Sequence, residues 1–427
     1  LLPLLLVFAC QGREPAPTTV AAVPPETAET ADAPAGDTTP EAAVHGELTT
    51  VGGQRVLRVW GTPRQMGFAH GALLRDEVLQ IVDGYALHVI PPAMLDSAGV
   101  LYDTTADIPP RLREEAEGLV EGMRAHGGAF VPGLDRDLAV RDLLVLNAMT
   151  DLLAIGCSSV SAWGEATADD ATLAGAPIVV RNLDWSDDAP LLRNQLLIIV
   201  QPDDPTRQPV ASVAFAGYLG CLSCMNEAGV TALFNMGYGE GAASLAGALA
   251  GFSPANLMLR DVMERRDIDG DHRASADDVE AGVRAATHAG SWILHVLEPG
   301  ATAGAASPAR ILEVEADGVV RRDPDATLGP TALAATNHLR KKATPRPGTR
   351  WRQIERTASR QGHHFTPQQL WQLGTSLRLP EVVYTLLAEP DARRLGLWLR
   401  RPGDAPDTDA EPVVHDLRAL MAAPPSR

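Results

Sequence analysis

The order of patterns along the chain predicts an α+β fold with two layers of sheet and helices outside them. Three observations predict it. Helical periodicity dominates before residue 156. Short β-prone runs separated by turn residues take over at Cys157. Two pairs of helices then interrupt the later strands.

The elements follow in order. "TPRQMGFAHGALLRDEVLQIV" places Met66, Ala69, Leu73, Leu74, Val78, Leu79 and Ile81 at a helical period. "PPRLREEAEGLVEGMRAHGG" opens on prolines and closes on a double glycine, as a capped helix does. "RDLLVLNAMTDLLAIG" is a strongly apolar helix ending at Gly156. "CSSVSAWG", "APIVVRNLDW", "NQLLIIVQP", "PVASVAFAGYLG" and "VTALFNMG" read as consecutive strands of an antiparallel sheet. Helices follow over "PANLMLRDVMERR" and "SADDVEAGVRAATHAG", then strands at "SWILHVLEP" and "ARILEVEADGVVRR". A helix over "TRWRQIERTASR" precedes another at "TPQQLWQLGTS", where Thr366 and Gln369 form a capping box. "VVYTLLAEP" and "LGLWLR" are the last strands, and no internal repeat is visible.

A chain of 427 residues can bury a large core, and its formal charge of −18 argues against a nucleic-acid partner. The opening run "LLPLLLVFAC" is too short to span a bilayer and reads as the end of a secretory signal. Val7-Phe8-Ala9-Cys10 resembles a bacterial lipobox, in which Cys10 is lipidated after cleavage. Residues 11–44 are rich in Pro, Ala, Thr and Glu without an apolar period, which predicts a disordered tether. The expected organisation is a signal and lipobox segment at 1–10, the tether at 11–44, a helical pro-segment at 45–156 and the core at 157–427. The expected location is the bacterial cell envelope, in the periplasm or at the cell surface, with a membrane anchor through Cys10.

Three cysteines remain, Cys157, Cys221 and Cys224, too few for a disulfide framework. Cys221-Leu222-Ser223-Cys224 forms a local disulfide or holds two buried thiols; alone it cannot close a tetrahedral zinc site. Most free cysteines are inert core residues. Cys157 has a second reading. A thiol becomes a strong nucleophile when a base favours its thiolate, and its own α-amine can be that base once the preceding peptide bond is cut. An α-amine titrates near pH 8, which suits proton transfer. Gly156 before it lets the backbone adopt strained angles at little steric cost.

Around this cysteine the pieces "GTPRQMGFAHGALL", "GCSSVSAWGEAT", "VVRNLDW", "MNEAGVT", "ATNH" and "TRW" occur in one order over residues 60–352. In that order they resemble the N-terminal-nucleophile (Ntn) hydrolases of the isopenicillin N acyltransferase type, with choloylglycine hydrolase a more distant relative. The resemblance implies a four-layer αββα sandwich and self-cleavage between Gly156 and Cys157, giving two chains from one precursor. It implies that Cys157 is nucleophile and base in one residue, that Asp184 holds the α-amine, and that Arg181 favours the thiolate. Asn235 would donate to the oxyanion, and Asn337 would position the amine or the substrate. Arg350 fits a Ser-Arg-aromatic pattern and Arg352 a looser spacing; Arg350 is preferred. The implied reaction is hydrolysis or acyl transfer at a linear amide of an N-acylated small molecule, through a Cys157 thioester, with no cofactor required.

Read singly, the same residues have plainer meanings. Arg181 and Asp184 make a surface ion pair, and Asn235 and Asn337 are turn residues. Two rival functions stand beside the first. One is a non-catalytic ligand-binding lipoprotein on the same fold; the other is a conventional protease pairing Cys157 with His338. A separate acidic segment carries Asp267, Asp269, Asp271, Ser275 and Asp278 at positions one, three, five, nine and twelve of a calcium-type loop. His272 stands where glycine is usual. The segment reads either as a structural calcium site or as an acidic helix–helix linker.

Overall fold

The computed structural model describes residues 43–148, 156–238, 251–300, 307–324, 327–341 and 348–422. The lipobox, the tether through residue 42 and the end of the apolar helix before Gly156 lie outside them.

The chain is a mixed α/β protein with two large sheets and helices packed against them. It begins with two strands where a helical segment was expected, β1 (Gly46–Val51) and β2 (Gln54–Gly61). The reason is the Gly52-Gly53 turn. Both glycines have positive φ, 56° and 81°, which suits a tight hairpin between β-prone runs. Helices α1 (Pro63–Ile81), α2 (Pro110–Ala125) and α3 (Val140–Ala148) follow, with a short hairpin of β3 (Phe130–Val131) and β4 (Arg136–Asp137) between the last two.

The glycines in α1 and α2 explain how these two helices meet. A Cβ at Gly67 would stand 1.9 Å from the Glu115 carbonyl oxygen, and one at Gly71 1.9 Å from that of Leu119. In return, a Cβ at Gly118 or at Gly122 would stand 2.1 Å from the carbonyl oxygen of Arg64 or of Phe68. Each helix therefore presents a Gly-xxx-Gly face to the backbone of the other. Glycine is a poor helix former, so its recurrence here reflects close approach and not local propensity.

From Gly156 the runs expected to form one sheet divide between two. Strands β5 (Gly156–Ala162) and β6 (Ile178–Asp184) pair with each other. The next four, β7 (Gln195–Pro202), β8 (Val210–Phe215), β9 (Ser223–Asn226) and β10 (Thr231–Met236), belong to the other sheet. Helices α4 (Ala255–Glu264) and α5 (Ala276–Ala285) lead to β11 (Trp292–Leu297), β12 (Ala309–Glu315) and β13 (Gly318–Arg322). The chain then returns through β14 (Ala332–Ala335), α6 (Thr349–Arg360), α7 (Pro367–Ser376), β15 (Val382–Glu389), β16 (Arg394–Leu399) and β17 (Val413–Asp416). The Thr366–Gln369 capping box is present. The nine-stranded sheet has the order β1-β2-β7-β8-β9-β10-β11-β12-β13, and the six-stranded sheet β14-β5-β6-β15-β16-β17. The β2–β7 pair is parallel; all others are antiparallel.

Alternation along β5 assigns its two faces. Ser159 and Ser161 point to the nine-stranded sheet, where their hydroxyls bond Nδ1 and Nε2 of His295 at 2.9 and 2.8 Å. Val160 and Ala162 point the other way, into a core with Trp351 and Ile354 of α6 and Leu370 and Leu373 of α7. His70 is also buried, and its Nε2 accepts the Gly217 N–H at 2.9 Å.

Burial pushes the pKa of both histidines down to about 3, with Arg260 acting in the same direction on His70 and Arg322 on His295. Both are neutral in the folded protein. Below the usual histidine value of 6.5 the unfolded chain takes up protons that the folded chain refuses. Their stabilising effect is therefore complete above that value and is lost as pH falls toward 3. Each histidine is expected to remove about 1.4 kcal/mol per pH unit in this window. A melting temperature that stays flat from about pH 7 to about pH 4 would contradict the expectation.

Candidate active site

Strand β5 starts at Gly156, which pairs with Asp184 at the end of β6. Gly156 is not among the positive-φ glycines, so strained backbone angles do not explain it. Space does: a Cβ there would lie 3.2 Å from Asp184 Oδ2 and 3.3 Å from Leu379 Cδ1. The small residue before the cysteine lets the carboxylate come close.

Cys157, Arg181 and Asn235 have no exposed surface, and Asn337 and Asp184 are 1% and 2% exposed. Arg181 and Asp184 are thus not a surface pair. The Cys157 N–H donates to Asn337 Oδ1 at 3.0 Å. Asn337 Nδ2 donates to the Met236 carbonyl at 2.9 Å, which fixes the amide's orientation. Arg350 donates to the same Asn337 Oδ1 at 2.7 Å and pairs with Asp184 Oδ2 at 2.6 Å. The Leu379 N–H donates to Asp184 Oδ1 at 3.3 Å. One chain of contacts therefore runs from the Cys157 nitrogen through Asn337 and Arg350 to Asp184. Burial pushes the Asp184 carboxyl up, and Arg350 pulls against it.

The sulfur sits on the other side. Arg181 Nη2 points to Cys157 Sγ at 3.5 Å and to the Phe234 carbonyl at 2.6 Å. Its Nη1 donates to Ser223 Oγ and, at 2.7 Å, to the Tyr384 hydroxyl. None of these partners is a carboxylate. Only the Cys157 thiol and the Tyr384 phenol can become anionic, and a thiol is ordinarily the more acidic. Burial and the Asp184 carboxylate push the Cys157 thiol up, while Arg181, Arg350 and the Met236 N–H favour its thiolate. Burial also raises Tyr384. Arg181 thus stands as a buried cation beside the sulfur and opposes the cost of burying a thiolate.

The structure thus brings Cys157, Arg181, Asp184, Asn337 and Arg350 together. Arg350 makes these contacts, while Arg352 is exposed on α6. Asn235 lies on β10 between Phe234 and Met236; its Nδ2 donates weakly to the Thr336 carbonyl at 3.5 Å. Its Oδ1 has no hydrogen-bond partner among the described residues. No described hydrogen bond joins Asn235 to Cys157 in the uncut chain. His338 does not reach Cys157 by a described hydrogen bond either; its ring meets Tyr238 edge to face at 6.1 Å. Ser223, Tyr384 and the Phe234 carbonyl were not anticipated. Serine, tyrosine and backbone groups carry no spacing that would mark them.

Cys221 and Cys224 form a disulfide with Cα atoms 5.7 Å apart. In the acidic loop, carboxylate oxygens of Asp267, Asp269 and Asp271 lie within 4.8 Å of one another. Ser275 and Asp278 are committed elsewhere. They form the capping box of α5, and Asp278 also accepts the Ile268 and Asp269 N–H groups. His272 takes the positive φ of 66° that a calcium-type loop gives its glycine.

No family model matches the chain. It is 24% identical over 241 residues to Protein dcd1A of Dictyostelium discoideum, covering 49% of each chain. It is 24% identical over 189 residues to Protein dcd1B of the same organism, covering 39% of this chain and 35% of that one. Over 201 residues it is 23% identical to an uncharacterized protein of Archaeoglobus fulgidus, covering 42% and 32%. The chain spans about half the length of dcd1A and about a third of the other two. Among solved structures, it is similar to a Caenorhabditis elegans ortholog of N-acylethanolamine-hydrolyzing acid amidase. That match has a TM-score of 0.43 and 16% identity, and covers 55% of this chain and 93% of that one. A mutant conjugated bile acid hydrolase from Clostridium perfringens gives a TM-score of 0.32 at 9% identity, covering 60% and 95%. Likenesses this distant determine neither the fold nor the chemistry of this chain.

Proposed function

We propose that the chain is a self-processing Ntn amidohydrolase or acyltransferase of αββα architecture that acts on linear amides of N-acylated small molecules. One observation carries the reading: a fully buried Arg181, with no carboxylate in hydrogen-bond contact among the described residues, stands 3.5 Å from Cys157 Sγ. A cysteine that served only as packing would not need a buried cation beside it.

In the precursor, Sγ attacks the Gly156 carbonyl carbon. The C–N bond to Cys157 breaks, its nitrogen takes a proton, and a thioester joins Gly156 to Cys157. Water hydrolyses that thioester and frees both the thiol and the α-amine. In the mature enzyme the amine, held near Asn337 and the Arg350–Asp184 pair, takes the thiol proton as Sγ attacks the substrate carbonyl. Arg181 stabilises the negative charge on sulfur as the proton leaves and the bond forms. Collapse of the tetrahedral adduct expels the amine of the substrate, which leaves with that proton. Water, or an acceptor amine, then releases the acyl group from Cys157. Asn235 Nδ2 is the proposed oxyanion donor; a donor of this kind is worth about 3–4 kcal/mol where it has been removed from other enzymes. From the protein these steps draw on side chains and the α-amine, and water or an acceptor amine completes them.

Mass spectrometry of the purified protein tests the first step, and a panel of N-acylated amines assayed by liquid chromatography tests the second. A fragment beginning at Cys157 and release of free acid are the expected results. An uncut chain that hydrolyses the panel would overturn the mechanism.

Two attachments to this reading are also proposals. The Cys10 lipobox and the tether would hold the enzyme at a bacterial membrane, so Cys10→Ser is expected to move it to the soluble fraction. Equal membrane association of the variant and the wild type would refute the anchor. Asp267, Asp269 and Asp271 would bind calcium as a structural ion between α4 and α5. Chelation is then expected to lower the melting temperature, and an unchanged melting curve across a calcium titration would leave only an acidic linker.

A further inference from the structure

The guanidinium of Arg181 is held by two groups of contacts, and both lead to the Cys221–Cys224 loop. Residues Leu222 and Ser223 are the interior of that loop. The Leu222 carbonyl accepts the Phe234 N–H at 2.9 Å, and the Phe234 carbonyl in turn accepts Arg181 Nη2 at 2.6 Å. Ser223 Oγ accepts Arg181 Nη1 and lies 2.8 Å from the Tyr384 hydroxyl. The Tyr384 hydroxyl accepts Nη1 at 2.7 Å and approaches the Val213 carbonyl at 3.4 Å. Nε of Arg181 has no hydrogen-bond partner among the described residues. Hydrogen bonding to the head group therefore runs through its two Nη arms, with the centre of the Tyr384 ring 5.6 Å from the guanidinium carbon. The loop is itself pinned: the Cys221 N–H donates to the Asn256 carbonyl at 2.9 Å, and Cys224 Sγ lies 3.6 Å from Ser212 Oγ.

We propose that Ser223 and Tyr384 are positioning residues that aim Arg181 at Cys157 Sγ, and that the Cys221–Cys224 disulfide holds Ser223 in place for that task. The proposal rests on the reading of Cys157 as the nucleophile. Its physical content is orientation. A guanidinium is planar, so fixing Nη1 by two oxygens sets the direction of Nη2. Without those oxygens Nη2 can turn from the sulfur to the Phe234 carbonyl alone, and the thiolate loses its partner. The disulfide closes a four-residue loop around the hydroxyl that does the fixing. Opening it frees the backbone of Ser223 without removing any atom that touches Arg181.

The readout is the pH dependence of Cys157 alkylation by iodoacetamide, followed by peptide mass spectrometry on the full purified protein. The midpoint of the profile reports the thiol; burial raises it in the wild type and the variants alike, so the difference between them reads the Arg181 contact. Ser223→Ala combined with Tyr384→Phe is expected to raise the midpoint by about one pH unit, which makes alkylation about tenfold slower below it. Ser223→Thr keeps the hydroxyl and should stay at the wild-type midpoint, which separates positioning from packing. Cys221→Ala with Cys224→Ala should move the midpoint in the same direction as Ser223→Ala. If the double variant fails to fold, Tyr384→Phe alone removes one oxygen and should give a smaller rise. Identical midpoints in the wild type and the folded variants overturn the proposal. Failure of the nucleophile reading looks different: no fragment begins at Cys157 and no amide is cleaved, while the midpoints still shift.

Discussion

Replacing Cys157 by alanine is expected to leave the chain uncut at Gly156–Cys157 and to abolish amide cleavage. Both losses have one cause in the proposed mechanism, because the same sulfur performs both attacks. In serine hydrolases, removing the nucleophile costs roughly 10⁶-fold in kcat, and a loss of that order is expected here. The variant should still fold. Alanine fits the space of the thiol, and the ladder between β5 and β6 is made by backbone groups. Asp184→Asn separates the roles further. It keeps the shape beside Gly156 but removes the charge that pairs with Arg350, so Asn337 loses a fixed Arg350 next to it. Slowed self-cleavage with a normal melting curve is the expected phenotype. Two measurements decide the matter: the mass of the chain after prolonged incubation, and turnover of the best N-acyl substrate. A Cys157→Ala protein that still cuts itself, or still hydrolyses that substrate at the wild-type rate, refutes the assignment of Cys157.

What sequence reasoning could see of this site follows from the physics of its parts. Arg181 and Asp184 lie on one strand three residues apart, so a short motif contains both. Gly156 was legible as a small residue, but its reason was not. Only the register of β5 against β6 shows that the nearby Asp184 side chain, and not a strained φ, leaves little room for a side chain there. A three-residue pattern alone favours Arg350 over Arg352, since the spacing suits both. The helix from Thr349 decides it by placing Arg350 against Asp184 and leaving Arg352 exposed. The fold shows the same division. Runs such as "NQLLIIVQP" declare a strand through local composition, yet nothing local tells a strand which sheet to join. Strands β6 and β7 are neighbours in sequence and lie in different sheets. The hairpin before α1 differs from these, since Gly52-Gly53 between β-prone runs is a local turn signal.

Gly67→Val is expected to destabilise the protein strongly, although the residue lies outside the site. The position looks tolerant from sequence: a glycine inside a helix normally gains from a side chain, by up to about 1 kcal/mol for alanine. Here the Cβ would stand 1.9 Å from the Glu115 carbonyl oxygen and 2.9 Å from the Leu119 nitrogen. Both are backbone atoms of α2, so no side-chain rotation relieves the overlap. The helices must move apart, and the reciprocal approaches at Gly71, Gly118 and Gly122 are lost together. Overpacking of this kind costs typically 1–3 kcal/mol and occasionally more; about 3 kcal/mol is expected, a factor of about 100 in the folding equilibrium. The consequence reaches function through the proposed cut. Both helices precede Gly156, so after cleavage their chain is held to the rest without a covalent link. The parallel ladder of β2 with β7, from Val56 opposite Leu197 to Gly61 opposite Pro202, is one of the seams that must hold it. Separating α1 from α2 weakens the body on which β2 sits. Urea denaturation should show a lower midpoint for Gly67→Val, and gel filtration of the cut protein should show earlier loss of the smaller chain. A denaturation midpoint equal to that of the wild type would mean that the two helices do not pack at backbone distance.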